Sequence, residues 1–389
     1  MYGRGGILNR GFQSVAQRLL ACTRNSDTVS RLGGDEFVVV LADLTDAQDA
    51  IVSAEKILTT LGMPHRVEHH DLSVTVSVGI AIYPDDGNDA ETVMKHADFA
   101  LLHAKDSGRN NYQFFKPAMN VRALERQSLE SGLCDALERR QFLLHYQPKM
   151  NLETGAIVGA EALIRWRHPQ RGLVGPAQFI PVAEESGFIG PISRWVLREG
   201  CQQARLWQQA GLPPLRIAIN TCAAELRSAD FVASVRAILA ETGLDPRCLE
   251  LELNETFLMQ DLKSTAATLR GLKDLGVQLA LDDFGTGLSS LSHLKRFPID
   301  TLKIDQSFVR DLTTDADDAS IVSAVISMGK SLNMLVVAEG VETREQLDFL
   351  RKHRCPEAQG FYFSHPVVAE EFTKLLGHSV GEPHSLQIY

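Results

Sequence analysis

The stretch VQLALDDFGTG, Val277 to Gly287, runs apolar and then places Asp282 directly beside Asp283. Adjacent carboxylates repel each other unless a cation or a shared proton relieves them. Two interpretations are open for such a pair. Asp-Asp-x-Gly is ordinary chemistry for a solvated turn, and carboxylate oxygens are also the ligands that hard divalent cations prefer.

Further polar residues stand in, or at the ends of, separate apolar runs. In chain order the whole set is Glu161, Asn220, Glu252, Asp282, Asp283, Lys303, Glu339 and Gln359, the last of which opens its run. Taken singly, each is most simply a solvated or capping residue. Their recurrence in consecutive runs favours a shared site, because the carboxyl ends of barrel strands meet at one mouth.

Five carboxylates, two amides and one lysine in a single cavity would carry a negative charge that is costly to bury. Mg²⁺ or Mn²⁺ with oxygen ligands would relieve that charge, whereas the histidines lack the spacing of a zinc site. Two metal ions about 3.5–4 Å apart can activate a bridging water for in-line attack on phosphorus. The pattern therefore predicts that Asp282 and Asp283 hold a metal pair. Lys303 would neutralise phosphate charge or orient the water, and Glu339 would act as the base or as a second-metal ligand through water.

Eight apolar runs must position these groups between Gln141 and about Leu376. The runs are FLLHYQP, AIVGAEALIRW, LRIAIN, LELEL, VQLALDD, DTLKID, MLVVAEG and AQGFYF. Helical patterns lie between most of them, at Phe179–Ala210, Phe231–Thr242, Leu262–Leu275, Ala319–Leu332 and Arg344–His353. This alternation predicts a TIM-like (β/α)8 barrel. About eight residues separate the first two runs, too few for a helical crossover, so the first strand is predicted antiparallel to the second. A doubly wound open sheet is the alternative fold.

The remaining chain is predicted to form a smaller α/β domain over residues 1–116 and an amphipathic connecting helix over 117–140. The barrel would span 141–378, and a poorly ordered tail 379–389. In the small domain, FVVVL and LSVTVSVGIAIY are predicted strands, and Asp46–Leu61 and Ala90–Lys105 are predicted helices.

Composition restricts the class of protein. The 389 residues carry a net charge of −10, which argues against binding a nucleic acid polymer or coating an anionic membrane. The six cysteines form no CxxC pair, which suits reduced thiols in a cytoplasm. No apolar run approaches the ~18 residues of a membrane span. We therefore expect a cytoplasmic protein without a membrane segment, although a longer parent protein could add one or a sensor.

The polar residues of the barrel lie in motifs that resemble those of the EAL-domain cyclic di-GMP phosphodiesterases of bacteria. In family order the motifs are EALIRW (Glu161–Trp166), AIN ending at Asn220, LELNE (Leu251–Glu255), DDFGTG (Asp282–Gly287), LKID (Leu302–Asp305), AEGVE (Ala338–Glu342) and QG (Gln359, Gly360). The resemblance covers essentially all of 141–376. It implies hydrolysis of cyclic di-GMP to linear pGpG with two Mg²⁺ or Mn²⁺ ions, and an EAL-mediated homodimer.

The resemblance also implies individual roles. The first metal would be bound by Glu161, Asn220, Glu252 and Asp282, and the second by Asp282 and Asp283. Lys303, Glu339 and Asp283 would be catalytic, while Leu163, Arg165 and Gln359 would bind substrate. Glu255, Thr286 and Glu342 would support the site, with Glu255 and the loop 284–291 forming a switch near the dimer contact. Two residues depart from the family pattern, Asn254 for Thr and Leu288 for Tyr, and neither is an expected metal ligand.

The N-terminal part resembles a GGDEF diguanylate cyclase domain through RLGGDEF, SVGIAIYPDDG, ADFALLHAK and SGRNNY. Gly33 and Gly34 would allow a tight turn near a base, Asp35 and Glu36 would be metal and catalytic residues, and Lys105 and Arg109 could meet a triphosphate. Roughly the first third of such a domain has no counterpart here. We therefore expect a regulatory or inactive part that binds GTP at most, and not a synthase.

Arg24 and Asp27 match the RxxD product-inhibition pattern of such cyclases, although RxxD is common on any protein surface. Three further hypotheses remain for the whole chain: a catalytically silent cyclic di-GMP receptor, a bifunctional enzyme, and an unrelated barrel enzyme. The complete set of metal carboxylates argues against the receptor.

Overall fold

A computed structural model of the chain describes residues 4–44, 46–67, 70–72, 74–255, 262–285 and 297–379. The chain divides into two compact units, Met1–Ser128 and Leu129–Tyr389. Among the described residues, no helix combines the length and the apolar character needed to cross a membrane. The predicted tail lies almost entirely outside the described residues.

The first unit contains short strands and three helices within the described residues. They are α1 Arg4–Cys22, β1 Thr28–Gly33, β2 Glu36–Val40, α2 Ala47–Gly62, β3 His65–Val67, β4 His70–Leu72, β5 Val78–Ile80, α3 Ala90–Asp106 and β6 Tyr112–Phe114. β1 and β2 form an antiparallel hairpin, β3 pairs antiparallel with β4, and β5 pairs parallel with β6. Asp46 caps α2 by accepting hydrogen bonds from the amides of Gln48 and Asp49.

One prediction for this unit was wrong, and one helix was missed. The run from Leu72 to Tyr83 is not one strand, because β4 and β5 belong to different sheets. The chain is drawn against α3 at Gly79, where a Cβ would lie 2.1 Å from the Ala97 carbonyl oxygen. Helix α1 was not predicted at all; its Val15 and Leu19 are buried against Ile57 and Leu61.

Helix α4 spans Pro117–Ala136 and continues from the first unit into the second. Proline is well placed at the start of a helix, where its missing N–H would be unpaired anyway. The helix ends four residues before the predicted Arg140, whose φ of 51° is left-handed. Leu129, Leu133 and Ala136 are buried in the core of the second unit.

The second unit alternates strands with helices. Its strands are β7 Phe142–Asn151, β8 Ile157–His168, β9 Gly172–Val174, β10 Arg216–Asn220, β11 Leu249–Asn254, β12 Gln278–Phe284, β13 Thr301–Ile304, β14 Leu335–Ala338 and β15 Glu357–Ala358. Its described helices are α5 Pro176–Glu185, α6 Ile189–Gln209, α7 Ala223–Leu226, α8 Phe231–Thr242, α9 Leu262–Asp274, α10 Gln306–Arg310, α11 Ala316–Ser331, α12 Arg344–Lys352 and α13 Ala369–Ser379.

Eight of these strands close into a barrel, with β9 added to the end of β8 as a hairpin. Parallel pairing runs from β8 through β10, β11, β12, β13 and β14 to β15. β7 closes the ring and is antiparallel to both of its neighbours, β8 and β15. The predicted barrel and its antiparallel first strand are confirmed, and the open sheet is excluded.

Two elements of the barrel differ from the prediction. The helix expected over Phe179–Ala210 is broken into α5 and α6, with Gly187 at φ 80° between them. The last strand is only two residues long, so Gln359 follows β15 and does not open it. The chain leaves the sheet there because the amide of Tyr362 donates to the Val341 carbonyl at 2.8 Å, and the amide of Val341 donates to the Gln359 carbonyl at 3.1 Å.

Apolar and charged side chains alternate along β11, so that the hydrophobic core and the site lie on opposite faces of the strand. Leu249, Leu251 and Leu253 of β11 are fully buried in the hydrophobic cluster between the sheet and its helices. Glu250 and Glu252, the residues between them, project into the barrel, since successive side chains of a strand point to opposite faces. The barrel interior is consequently lined by charged and amide side chains.

Candidate active site

Lys303 is the centre of the polar cluster. Its Nζ lies 2.7 Å from Glu252 Oε2, 2.9 Å from Asp282 Oδ1 and 2.8 Å from Glu339 Oε1. The lysine side chain is 1% exposed, so this ammonium group is held by carboxylates from β11, β12 and the residue after β14. One buried cation therefore gathers three acids from three separate parts of the chain.

The two adjacent aspartates lie in β12, where the pairing with β13 is irregular between Leu281 and Phe284. Asp283 has a φ of 54°, and its amide donates to Asp282 Oδ1 at 3.1 Å. Asn254, the residue that departs from the family pattern, donates from Nδ2 to Asp283 Oδ2 at 2.7 Å. Asp282, Asp283 and Glu339 each offer an oxygen within 4.8 Å of the others. This oxygen-only set fits a hard divalent cation.

Glu161 anchors the opposite side of the cluster. It accepts hydrogen bonds from Asn220 Nδ2 at 2.8 Å and from Gln359 Nε2 at 2.5 Å, and Gln359 Nε2 also donates to Gln147 Oε1 at 2.8 Å. Gln359 Oε1 is buried and accepts no hydrogen bond within the described part of the chain. A buried oxygen without a hydrogen-bond donor costs free energy. This oxygen would therefore accept a hydrogen bond from a ligand or contact a bound cation.

Burial and mutual repulsion hold some of these acids above their usual pKa. Burial first, and then the other carboxylates, raise the pKa of Glu161 and Glu339. Burial and Asp282 raise the pKa of Asp283 to about 6. Without bound cations, these acids therefore hold a proton up to a higher pH than ordinary carboxyl groups do, and a cation that displaces the proton would relieve their repulsion.

Glu252 behaves in the opposite way. Burial alone would raise its pKa, but the ammonium groups of Lys149 and Lys303 outweigh burial and lower the pKa to about 2. The surrounding carboxylates in turn raise the pKa of Lys303 well above its usual value in spite of burial. Glu252 is therefore a permanent anion and Lys303 a permanent cation.

The predicted substrate-binding residues lie on the same face of β8 as Glu161. Leu163 and Arg165 follow it at two-residue intervals towards the carboxyl end of the strand, and both are half-buried. Arg165 donates from Nη1 to the Ile164 carbonyl at 2.9 Å, and burial lowers the pKa of the guanidinium. The guanidinium is thus held near the mouth, where it could bind a phosphate.

The expected supporting residues are placed differently from one another. Glu255 is 2% exposed and accepts a hydrogen bond from the Gly285 amide at 3.3 Å, which links β11 to the turn after β12. Glu342 is exposed, and its amide donates to Gln346 Oε1 at the start of α12. Thr286 and most of the loop 284–291 lie outside the described residues.

In the first unit, the GGDEF turn is solvent-exposed. Gly34 has a φ of 53°, and Asp35 and Glu36 are exposed beside it. Lys105 and Arg109 are exposed at and just beyond the last turn of α3. Asp98 of α3 was missed in the sequence; after burial, Glu36 raises its pKa and Lys105 lowers it, so all three side chains lie within electrostatic reach of one another.

Asp27 of the RxxD pattern has a local structural partner for each oxygen. Its Oδ2 accepts the Arg24 amide at 2.6 Å and its Oδ1 accepts the Ala42 amide at 3.1 Å. Arg24 itself is exposed. The aspartate therefore closes the turn before β1, which is the ordinary structural role of such a residue.

Sequence reasoning missed a second buried lysine. Lys149 of β7 lies 2.6 Å from Glu250 Oε1 and 2.8 Å from Glu252 Oε1, and Thr301 donates to Glu250 Oε2 at 3.1 Å. The available signal was the alternation of polar residues, Glu250 with Glu252 in the run LELEL, and Gln147 with Lys149, which lies one residue beyond the run FLLHYQP.

Comparison with known proteins agrees with this architecture. A family model for the EAL domain matches residues 130–366, and one described as diguanylate cyclase, GGDEF domain, matches residues 8–111. The barrel is similar to a solved structure described as the PaMucR phosphodiesterase in a c-di-GMP complex, with 46% identity and a TM-score of 0.62. That similarity covers 63% of this chain and 99% of the other.

Two curated relatives match nearly the whole chain. The bifunctional diguanylate cyclase/cyclic di-GMP phosphodiesterase MucR of Pseudomonas aeruginosa is 45% identical over 357 residues, or 92% of this chain and 52% of MucR. The cyclic di-GMP phosphodiesterase PdeR of Escherichia coli is 39% identical over 362 residues, or 93% of this chain and 54% of PdeR. This chain thus spans about half the length of these relatives. It belongs to the EAL domain family, and a GGDEF domain precedes its barrel.

Proposed function

We propose that the barrel hydrolyses cyclic di-GMP to linear pGpG, and that the GGDEF part is regulatory or inactive. The observation that carries the proposal is the contact of Lys303 with three carboxylates at the mouth of a barrel of this family. The names of the relatives support it, because PdeR is a cyclic di-GMP phosphodiesterase and the PaMucR phosphodiesterase structure is a c-di-GMP complex.

Two Mg²⁺ or Mn²⁺ ions are proposed as cofactors. The residues that would hold them are Glu161, Asn220, Glu252 and Asp282 for one ion, and Asp282 and Asp283 for the other. When bound, such ions lower the pKa of a water and stabilise charge on a phosphate. The acidic cluster of Asp282, Asp283 and Glu339 supports this assignment.

The protein's own residues would position the reacting groups and accept a proton from the attacking water. Lys303 keeps a full positive charge beside the acids and would attract the phosphate. Glu339, at 2.8 Å from Lys303 Nζ, would accept a proton from the attacking water at its carboxylate. Arg165 would bind a phosphate oxygen, while Leu163 and Gln359 would contact the nucleotide from the β8 and β15 sides of the mouth.

Product analysis tests the activity directly. The chain is incubated with cyclic di-GMP and Mg²⁺ or Mn²⁺, and the nucleotides are separated by chromatography; we expect linear pGpG. Asp282→Asn should abolish product, whereas Asp348→Asn, an exposed acid of α12 that pairs with Arg344, should not. Tight binding of cyclic di-GMP without product would replace the proposal with the receptor hypothesis.

Regulation by the GGDEF part is the second component of the proposal. Lys105 and Arg109 would bind GTP, and α4, which joins the two units, would carry the effect to the barrel. Hydrolysis is measured with and without GTP in the intact chain and in a Lys105→Ala/Arg109→Ala variant. GTP should change the rate or the Michaelis constant only in the intact chain. New cyclic di-GMP formed from GTP would favour the bifunctional alternative that the MucR name suggests.

Assembly and location complete the proposal. A homodimer formed through the barrel is proposed from the family resemblance, and sedimentation of the purified chain would test it. A cytoplasmic location is proposed because the described cysteines are free thiols; they are Cys22, Cys201, Cys222, Cys248 and Cys355. Fractionation of the producing cell would test that location.

A further inference from the structure

A buried charge network lies directly beneath the candidate active site. Lys149 on β7 has no exposed surface, and its Nζ bridges Glu250 Oε1 at 2.6 Å and Glu252 Oε1 at 2.8 Å. Glu250 is also 1% exposed, and its other oxygen accepts the Thr301 hydroxyl at 3.1 Å. Lys149 therefore contacts two acids of β11, Glu250 and, two residues nearer the carboxyl end of the strand, Glu252.

The two lysines divide the oxygens of Glu252 between them. Oε1 accepts from Lys149 and Oε2 accepts from Lys303 at 2.7 Å. Each oxygen has one ammonium donor, so rotation of the carboxylate about its last bond would break both contacts. Lys303 contacts Asp282 and Glu339 as well, whereas the second acid that Lys149 contacts is Glu250. Lys149 is thus the donor that fixes Glu252 independently of the mouth.

We infer that Lys149, with Glu250 as its counter-ion, is a positioning residue that orients the Glu252 carboxylate for a divalent cation. The inference rests on the proposed function, in which Glu252 is a metal ligand. Stability alone explains the network poorly, because a buried ion pair is often no more stable than apolar residues of the same volume. Partners that hold a ligand from behind commonly decide metal affinity.

The variant must remove the contact without leaving a buried charge. Changing Lys149 alone would strand the Glu250 carboxylate in the barrel, which is strongly destabilising. The double variant Lys149→Met/Glu250→Gln removes one positive and one negative charge, so the net charge of the interior is unchanged. The methionine retains most of the lysine stem, and the new amide can still accept from Thr301.

Direct binding of Mn²⁺ to the full chain, measured by calorimetry or by the resonance signal of free Mn²⁺, is the test. We expect the double variant to bind Mn²⁺ about ten-fold more weakly, the usual size of such an effect. At saturating Mn²⁺, the Michaelis constant for cyclic di-GMP should remain that of the unchanged chain. Lys273→Met/Asp300→Asn is the matched control, since it removes a lysine–aspartate pair at 2.7 Å elsewhere in the barrel; its Mn²⁺ affinity should not change.

Unchanged Mn²⁺ affinity in the folded double variant would overturn the inference, even if its unfolding temperature fell. If the double variant does not fold, the Mn²⁺ affinity of Thr301→Val is measured in its place. This variant keeps both charges and removes only the hydroxyl that donates to Glu250. Unchanged Mn²⁺ affinity in Thr301→Val would again overturn the inference. An unaltered chain that neither binds Mn²⁺ nor forms pGpG would instead refute the proposed function on which the inference rests.

Discussion

At the scale of single residues, the pKa of each active-site acid depends on the charged groups around it. Asp283 has a pKa raised to about 6 by burial and by Asp282, while Glu252, between two lysines, has a pKa lowered to about 2. The first acid keeps its proton to a higher pH than an ordinary aspartate, whereas the second loses its proton at a lower pH than an ordinary glutamate. Cation binding should therefore release protons from acids such as Asp283 and leave Glu252 unaffected.

We expect the unfolding temperature of the cation-free chain to rise as the pH is lowered through about 6. The folded-state pKa of Asp283 lies above its ordinary value of 3.8, so the folded state binds the proton more tightly and gains stability as pH falls through that window. Calorimetric scans at a series of pH values test this. Asp283→Asn should flatten the dependence, and saturating Mn²⁺ should do the same; an equal slope in the variant would contradict the assignment.

At the scale of elements, the shortness of β15 places Gln359 in the site. Gly360 follows at once, and a Cβ on it would lie 2.1 Å from the Val341 carbonyl oxygen and 2.2 Å from the Val341 nitrogen. Only glycine permits this approach of two backbones. The chain therefore turns inward directly after the strand, and Gln359 Nε2 reaches Glu161.

Gly360→Ala should destabilise the barrel by about 1–3 kcal/mol, as overpacking usually does, and should raise the Michaelis constant for cyclic di-GMP because Gln359 is displaced. Denaturant unfolding and steady-state kinetics measure the two effects. Gly175→Ala is the control, since its φ is −78° and a Cβ there meets nothing within 4 Å. A Gly360 variant as stable and active as this control would show that the backbones separate without cost.

At the scale of the whole molecule, α4 belongs structurally to both units. Residues before Leu129 fall in the first unit, while Leu129, Leu133 and Ala136 pack in the hydrophobic core of the second. The predicted connector is thus partly a component of the barrel. The EAL family match agrees, because it begins at residue 130, ahead of β7.

A chain that begins at Leu129 should therefore fold and hydrolyse cyclic di-GMP, whereas one that begins at Gln141 should be less stable. Loss of two buried leucines removes roughly 3–6 kcal/mol of burial free energy. Denaturant unfolding of the two truncated chains and of the full chain gives the comparison. Equal stability of the two truncated chains would mean that the last turns of α4 contribute nothing to the barrel.

Local features of the sequence were sufficient to predict the positions of most strands of the barrel. Apolar periodicity located seven of the eight closing strands to within a few residues, because strand pattern and flanking turns are local properties. The short link between the first two runs required an antiparallel first strand, since no crossover fits in it. The motifs indicated the family for the same reason, as each is a short segment with fixed chemistry.

Contacts between distant strands were decided only by the closed barrel. Lys149 and Glu252 are 103 residues apart, and nothing near either residue in the sequence indicates the other. Their meeting depends on β7 closing the ring between β15 and β8 and on which face of each strand turns inward. A shift of one residue in either register would send these side chains to the opposite face, so the charge network beneath the site is a property of the tertiary structure.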